Sequence, residues 1–405
     1  MVILSALMIL IGGFLAGLLF HKIKLPKMVG MLIYGILIGP SLLNLVDPLI
    51  ISFSSTLRLI ALAIILTRSG LSLNLNHLKK LGVTAILMCV VPATFEMIGV
   101  LILAPLLLHI SILESLLLGA VLAAVSPAIV VPRMIKIKHE GYGKQNHIPE
   151  LVLAGASADD IYVITLFYMF LGFNTNTSLN VFSILAVPVS IILGMIYGIS
   201  FGIIISRIFK RYQFNVYIKV AITLTLSFIF IYIEGLGAYI PFSAMIGIVT
   251  LGMTILYNNQ VQAKELETEY KKLWFVFEII LFVLVGVSVD LNYALSAGWM
   301  MIVVLIGALL FRMLGVYVSL LWTEFSFKEK IFTMISYIPK ATVQASIGGI
   351  ALSSGLGVGA LILTMAVLSI LITAPIGSLG IDLSYTLLLS LDTPIEPRES
   401  IETVS

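Results

Sequence analysis

Two aspartates, Asp159 and Asp160, stand side by side inside an apolar stretch running from about Leu151 to Gly172. A carboxylate at bilayer depth costs at least about 2.5 kcal/mol, so an adjacent pair requires something positive to bind. Neighbours on a helix point about 100° apart, which lets the two serve one site while facing different partners. Desolvation and mutual repulsion favour protonation of at least one of them. A carboxylate held in that balance can trade a proton for a small hard cation such as Na⁺ or Li⁺, which prefers oxygen ligands. Ser157, Ser126 and Thr342 are hydroxyls able to join that ligand set, and equally able to be packing groups. The plainer reading of the pair is a salt bridge that locks its helix to Lys340 or Arg312.

The composition identifies the solvent around the pair. Of 405 residues, 60% are hydrophobic and 11% charged, and the mean hydropathy is +1.15. No soluble core of this length needs so much apolar surface, so the chain is read as an all-α integral membrane protein. The net charge of +3 comes without a continuous basic patch, which excludes nucleic acid as a partner. Cys89 lies alone in an apolar run and offers no disulfide framework. Val2 to Phe20 resembles a signal peptide, but Lys22, Lys24 and Lys27 follow the apolar run instead of preceding it, so it is read as a retained first span. No cofactor is called for beyond the transported ions.

A bilayer core takes roughly 20 apolar helical residues. Thirteen such runs are present, at about 2–20, 27–46, 53–72, 81–108, 112–132, 151–172, 180–205, 215–234, 238–257, 273–290, 297–322, 331–352 and 358–378. Seventeen Lys and Arg residues, from Lys22 to Lys330, fall in the loops after odd-numbered runs, and the loops after even-numbered runs hold none. That asymmetry places the amino terminus outside a plasma membrane and the carboxyl terminus in the cytoplasm. Leu379 to Leu391 reads as a short amphipathic helix on the cytoplasmic side, and the acidic end from Asp392 as disordered.

The runs contain a repeat. Gly70 to Asn76 (GLSLNLN) matches Gly286 to Asn292 (GVSVDLN) at an offset of 216, with four of seven positions identical. Pro26 is followed by Gly30 and Gly35, and Pro241 by Gly247 and Gly252, in the same manner. The third and tenth runs differ by an odd number of crossings, so the two copies traverse the membrane in opposite directions, as in secondary transporters. The same offset carries Glu96, in the fourth run, onto Arg312 in the eleventh. Two buried opposite charges at matching depth are most simply an ion pair, and because Arg keeps its proton the pair reads as a fixed brace. Arg58, Arg68 and Lys219 lie nearer the ends of their runs and are expected to snorkel to the interface. Glu278 is a weaker functional candidate, and His139 and His147 sit in a basic loop as solvated imidazoles.

Ser126-Pro127 and Pro132 interrupt the fifth run, and Pro339-Lys340 with Gly348-Gly349 interrupts the twelfth. Proline removes a backbone hydrogen bond, and non-helical backbone survives at this depth only inside protein or beside an aqueous cavity. Breaks in two repeat-equivalent runs predict crossed, interrupted helices facing one centre, with Lys340 supplying positive charge there.

These motifs resemble one known family. The stretch Ala124 to Pro132, Glu140-Gly-Tyr-Gly143, Ile148-Pro149 and Ala156-Ser-Ala-Asp159-Asp160, together with Ile338-Pro-Lys340-Ala-Thr-Val-Gln344-Ala, is similar to the two-aspartate branch of the cation/proton antiporters, NHA-type members above all. The resemblance covers nearly the whole chain. It implies a homodimer whose protomers hold a dimerisation scaffold (approximately 1–75 and 206–292), a linker helix (173–205), an ion-transport core (approximately 79–172 and 296–378) and a cytoplasmic tail (379–405). It implies an elevator that carries either Na⁺ or Li⁺, or protons, with Asp160 as essential ligand and proton carrier and Asp159 beside it. Many relatives have Lys where Arg312 stands, pairing with the first aspartate; Arg here leaves open whether Arg312 meets Glu96 or Asp159.

Competing functions differ in what they demand. Potassium/proton efflux differs only in ion selectivity. A sodium-coupled organic-anion symporter wants an open polar cavity and needs no adjacent aspartates. An intramembrane aspartyl protease needs carboxylates on two helices facing one water, and no Gly-x-Gly-Asp motif occurs in any run.

Overall fold

The structure is a computed structural model that describes residues 1–72, 75–143, 145–175, 181–212, 214–235 and 242–391, and their side chains except at 75–81, 157–158, 181–188, 235 and 292–297. Among these residues the chain is helical throughout, and its one β-contact is an isolated bridge between Tyr142 and Leu391. With few backbone groups able to meet water, each apolar run satisfies its own N–H and C=O groups as helix.

In chain order the helices are α1 (Val2–Lys22, with a π turn at Met8–Gly12), α2 (Lys27–Ile38), α3 (Pro48–Ser72) and α4 (Gly82–Leu108). Next come α5 (Ile112–Leu122), α6 (Pro127–His139), α7 (Ile148–Thr175) and α8 (Val181–Arg211). They are followed by α9 (Val216–Gly235), α10 (Ala244–Asn258), α11 (Gln260–Val287) and α12 (Leu291–Ser319). The last four are α13 (Phe327–Ser336), α14 (Thr342–Ile347), α15 (Ile350–Ser353) and α16 (Gly359–Leu388).

Nine helices among the described residues are long and apolar enough to cross a membrane, α5 and α6 counting as one. The remaining four of the thirteen expected runs take other forms. Helices α2 and α10 are apolar but short, with 12 and 15 residues. Helix α11 is charged over its first three turns, and the twelfth run is divided among α13, α14 and α15. One expectation is corrected: no separate amphipathic helix follows the last run, because α16 continues unbroken to Leu388 despite Pro375. The residues from Asp392 lie outside the described chain.

The two interrupted helices begin alike. Ser111 and Glu114 form a capping box at the start of α5, and Ser326 and Glu329 form another at the start of α13. Helix α5 ends at Leu122 because Pro127 has no N–H to offer the carbonyl four residues back, and α6 restarts with that proline in its first turn, where a missing donor costs nothing. Helix α13 ends at Ser336 ahead of Pro339, and α14 restarts at Thr342. The non-helical links meet, Ser126 N–H donating to Pro339 O at 2.8 Å.

Around these links the helices pack in two groups. Helix α4 lies closest to α12, and α7 to α4 and α5. Separately, α11 packs on α2 and α3, and α10 on α3 and α8. Two crossings of the second group are made by glycine against backbone. A side chain on Gly35 would strike the Val283 carbonyl and one on Gly286 the Leu32 carbonyl; likewise Gly70 abuts the Val249 carbonyl and Gly252 that of Thr67.

Candidate functional site

Asp159 and Asp160 sit on α7, 0% and 7% exposed. Asp159 is fully engaged on one oxygen, its Oδ2 accepting the Val125 N–H at 2.9 Å and Arg312 Nη2 at 2.9 Å. Asp160 forms no ion pair among the described residues, and its Oδ1 is buried without a hydrogen-bond partner. Asp159 Oδ1 and Ser126 Oγ are also buried and unpartnered. The adjacent carboxylates thus differ: Asp159 is ion-paired through Oδ2, and Asp160 is not ion-paired among the described residues.

Arg312 is the hub of the centre. Its Nη1 donates to Glu96 Oε2 at 2.7 Å and to the Ala123 carbonyl, its Nη2 to Asp159, and its Nε to the Tyr337 carbonyl at 2.9 Å. Lys340 Nζ reaches both oxygens of Glu96, at 2.7 and 2.8 Å, and the Leu122 carbonyl. Gln344 Nε2 donates to Ala124 O at 2.8 Å and Leu122 O at 3.3 Å. Leu122, Ala123 and Ala124 end the first half-helix, and Tyr337 ends its counterpart. The last carbonyls of a helix lack intrahelical donors and carry its negative dipole end, so two cations and an amide are the groups such ends need. The Lys340 N–H is bound in turn by Thr373 Oγ1 at 3.0 Å.

The choice left open for Arg312 resolves into both partners, since a guanidinium fork bonds Glu96 and Asp159 together. Lys340 meets Glu96 and not the aspartates. Ser126 occupies the N-cap of α6 and Thr342 the first turn of α14, both buried. The side chain of Ser157 lies outside the described residues. Snorkelling is corrected for Arg58, 7% exposed, whose Nε turns to the Ser54 carbonyl; Lys219, in the first turn of α9, extends to the half-exposed Glu265 at 3.4 Å beside the Phe209 ring. Arg68 is half-buried against Glu267. Glu278 feels Lys27 and Arg68 but bonds to neither. Three contributors escaped the sequence reading: the Val125 N–H, Thr373 and the Gln344 amide. The repeat offset pointed to one of them, since it carries Ser157 onto Thr373.

A family model described as sodium/hydrogen exchanger, transmembrane, matches residues 6–383. The chain belongs to the sodium/hydrogen exchanger family. It is 35% identical to human sodium/hydrogen exchanger 9B2 over 389 residues, covering 92% of this chain and 72% of that one. Against mouse sodium/hydrogen exchanger 9B1 it is 32% identical over 394 residues, covering 91% and 68%. Among solved structures, the sodium proton antiporter MjNhaP1 from Methanocaldococcus jannaschii at pH 8 superposes with a TM-score of 0.80 at 18% identity, over 95% of this chain and 97% of that one. That likeness establishes a shared fold. This sodium/hydrogen exchanger family member is thus a multi-pass membrane protein of the cation/proton antiporter type, a family of transporters and not of enzymes.

Proposed function

We propose that this chain exchanges Na⁺, or Li⁺, for H⁺ by letting the two compete for Asp160. The observation that carries the reading is that Asp159 Oδ2 is held by Arg312 and the Val125 N–H, whereas Asp160 has no ion pair among the described residues and its Oδ1 has no hydrogen-bond partner. Three carboxylates, Glu96, Asp159 and Asp160, face two cations, Arg312 and Lys340. With all five ionised the centre carries one surplus negative charge, and a single Na⁺ or a single proton on Asp160 removes it. A low-dielectric interior strongly disfavours net charge, so the neutral loads are the ones that can cross, which makes the exchange one for one.

Thirteen spans in two inverted halves, with outside amino terminus and cytoplasmic carboxyl terminus, form the scaffold of this proposal. The repeat is supported by Glu96 with Arg312, Ser126 with Thr342, the paired capping boxes, and the glycine crossings: the offset turns the Gly35–Gly286 contact, within one residue, into the Gly252–Gly70 contact. The partition into scaffold (approximately 1–75 and 206–292), linker (173–205) and core (approximately 79–172 and 296–378) is part of the proposal; the packing of α4, α7 and α12 apart from α2, α3, α10 and α11 supports separate core and scaffold, with the linker helix α8 packed on α10. In an elevator the core carries the loaded centre past a scaffold held by a second copy. Helix α1 offers an outward apolar face for that copy, with Ile3, Leu7, Ile11 and Leu15 exposed.

The test is proton flux in proteoliposomes under an imposed pH gradient, with Li⁺, Na⁺ and K⁺ in turn. Na⁺ and Li⁺ should collapse the gradient and K⁺ should not; Asp160→Asn, which keeps the shape but cannot bind and release a proton, should be inactive while folded. Sodium-dependent flux at the wild-type rate in Asp160→Asn would end the assignment, and equal K⁺ flux would establish potassium/proton exchange instead.

A further inference from the structure

Gln344 touches neither aspartate, yet it bonds to the same peptide unit as one of them. Its Nε2 donates to the Ala124 carbonyl at 2.8 Å, while the N–H across that same peptide bond, from Val125, donates to Asp159 Oδ2 at 2.9 Å. No peptide in the described chain is cis, and in a trans peptide C=O and N–H point in opposite directions. Gln344 on α14 and Asp159 on α7 therefore clasp the Ala124–Val125 unit from opposite faces. The second amide hydrogen of Gln344 goes to Leu122 O at 3.3 Å, so both are used. Its Oε1 remains buried without a donor, and Gln344 is 0% exposed. The reverse amide orientation would set that oxygen against two carbonyl oxygens, so the observed orientation is the one the surroundings enforce.

We propose that Gln344 is a positioning residue for the cation site: it turns the Ala124–Val125 peptide so that its N–H occupies Asp159, which leaves Asp160 and the unpartnered oxygens of Asp159 and Ser126 as the surface that a cation meets. Without that clasp the peptide is free to rotate, and a backbone donor is lost from a carboxylate that then has only Arg312. The four residues Leu122 to Val125 are non-helical or terminal, so no helical hydrogen bond holds the unit in place of Gln344. The side chain thereby links the second broken helix to the ligand geometry of the first. The inference rests on the cation-exchange reading of Asp160.

Sodium-dependent proton flux of Gln344→Leu and Gln344→Glu in proteoliposomes tests it, with wild type alongside. Gln344→Leu should raise the KM for Na⁺ by about tenfold, the effect of losing one good hydrogen bond, while the maximal rate stays within about threefold. Gln344→Glu can donate to Ala124 O only when protonated. Its environment is set by Lys340 one turn back, Arg312 on α12, Glu96 on α4 and Asp159 on α7. Its excess KM over wild type at the same pH should therefore shrink as pH falls, whereas that of Gln344→Leu should not. An unchanged KM in folded Gln344 variants, or a lower melting temperature with KM untouched, overturns the positioning role. If Gln344→Leu does not fold, the pH trend of Gln344→Glu decides alone. Absence of flux in wild type would instead refute the exchange reading itself.

Discussion

Glu96 accepts from two cations at once, Arg312 and Lys340, and none of the three is more than 1% exposed. Removing one member leaves an uncompensated buried charge, a loss of about 3–5 kcal/mol by comparison with other buried pairs. Glu96→Gln and Arg312→Gln should each lower the melting temperature sharply, and the double change should recover part of the loss. Arg312 also holds Asp159, so Arg312→Gln carries a second effect that Glu96→Gln does not: Asp159 loses its guanidinium partner, and the activity profile should move to alkaline pH. A double-mutant cycle measured by thermal unfolding checks this, and additive losses for Glu96 and Arg312 would mean that the two do not interact. At this scale the sequence announced the residue types and, through the offset, the Glu96–Arg312 relation. It could not announce that Arg312 reaches both carboxylates, because that depends on the rotational setting of α4, α7 and α12 around one another, which composition does not encode.

Elements are positioned here by breaks and by close backbone approach. The interrupted helices were legible, since Pro127 and Pro339 stand inside runs too apolar to be loops. The length of α2 was not, because apolar residues continue past its end: Leu42, Leu43 and Leu45 follow it as exposed non-helical chain. Continuity of α16 was also hidden, since a change from apolar to amphipathic pattern resembles a boundary while the backbone continues across it. The glycine crossings make a prediction at this scale. Gly35→Leu and Gly252→Leu should each drive a side chain into carbonyl backbone, which cannot move aside as a side chain can; overpacking of this kind costs about 1–3 kcal/mol or more. The proposed repeat makes the two sites equivalent and so predicts similar drops in melting temperature. Gly298→Leu, where an added Cβ meets nothing within 4 Å, should change little and serves as the control. Tolerance of leucine at Gly35 and Gly252 would contradict the close crossings.

On the scale of the whole molecule, one centre is assembled from α4, α7, α12 and both broken helices, so any movement of the site is a movement of all five. That rigidity suits a carrier whose load changes while its walls do not. The thermodynamic signature of the proposed exchange is competition: if Asp160 is the shared ligand, Na⁺ binds only when it is deprotonated, so protons displace it. The sign is fixed by linkage, since lowering pH protonates the ligand and weakens apparent Na⁺ binding, while raising pH restores it. A bound cation also stabilises only the folded state that can hold it. The most direct measurement is the apparent Na⁺ affinity of the purified wild-type protein, read from Na⁺-dependent thermal stabilisation across about pH 6 to 8. Competition by one proton predicts that apparent affinity falls by as much as about tenfold per pH unit on the acid side, and that Asp160→Asn shows no Na⁺ stabilisation at any pH. An affinity that is independent of pH over that range would show that proton and cation occupy different groups, and would contradict the account.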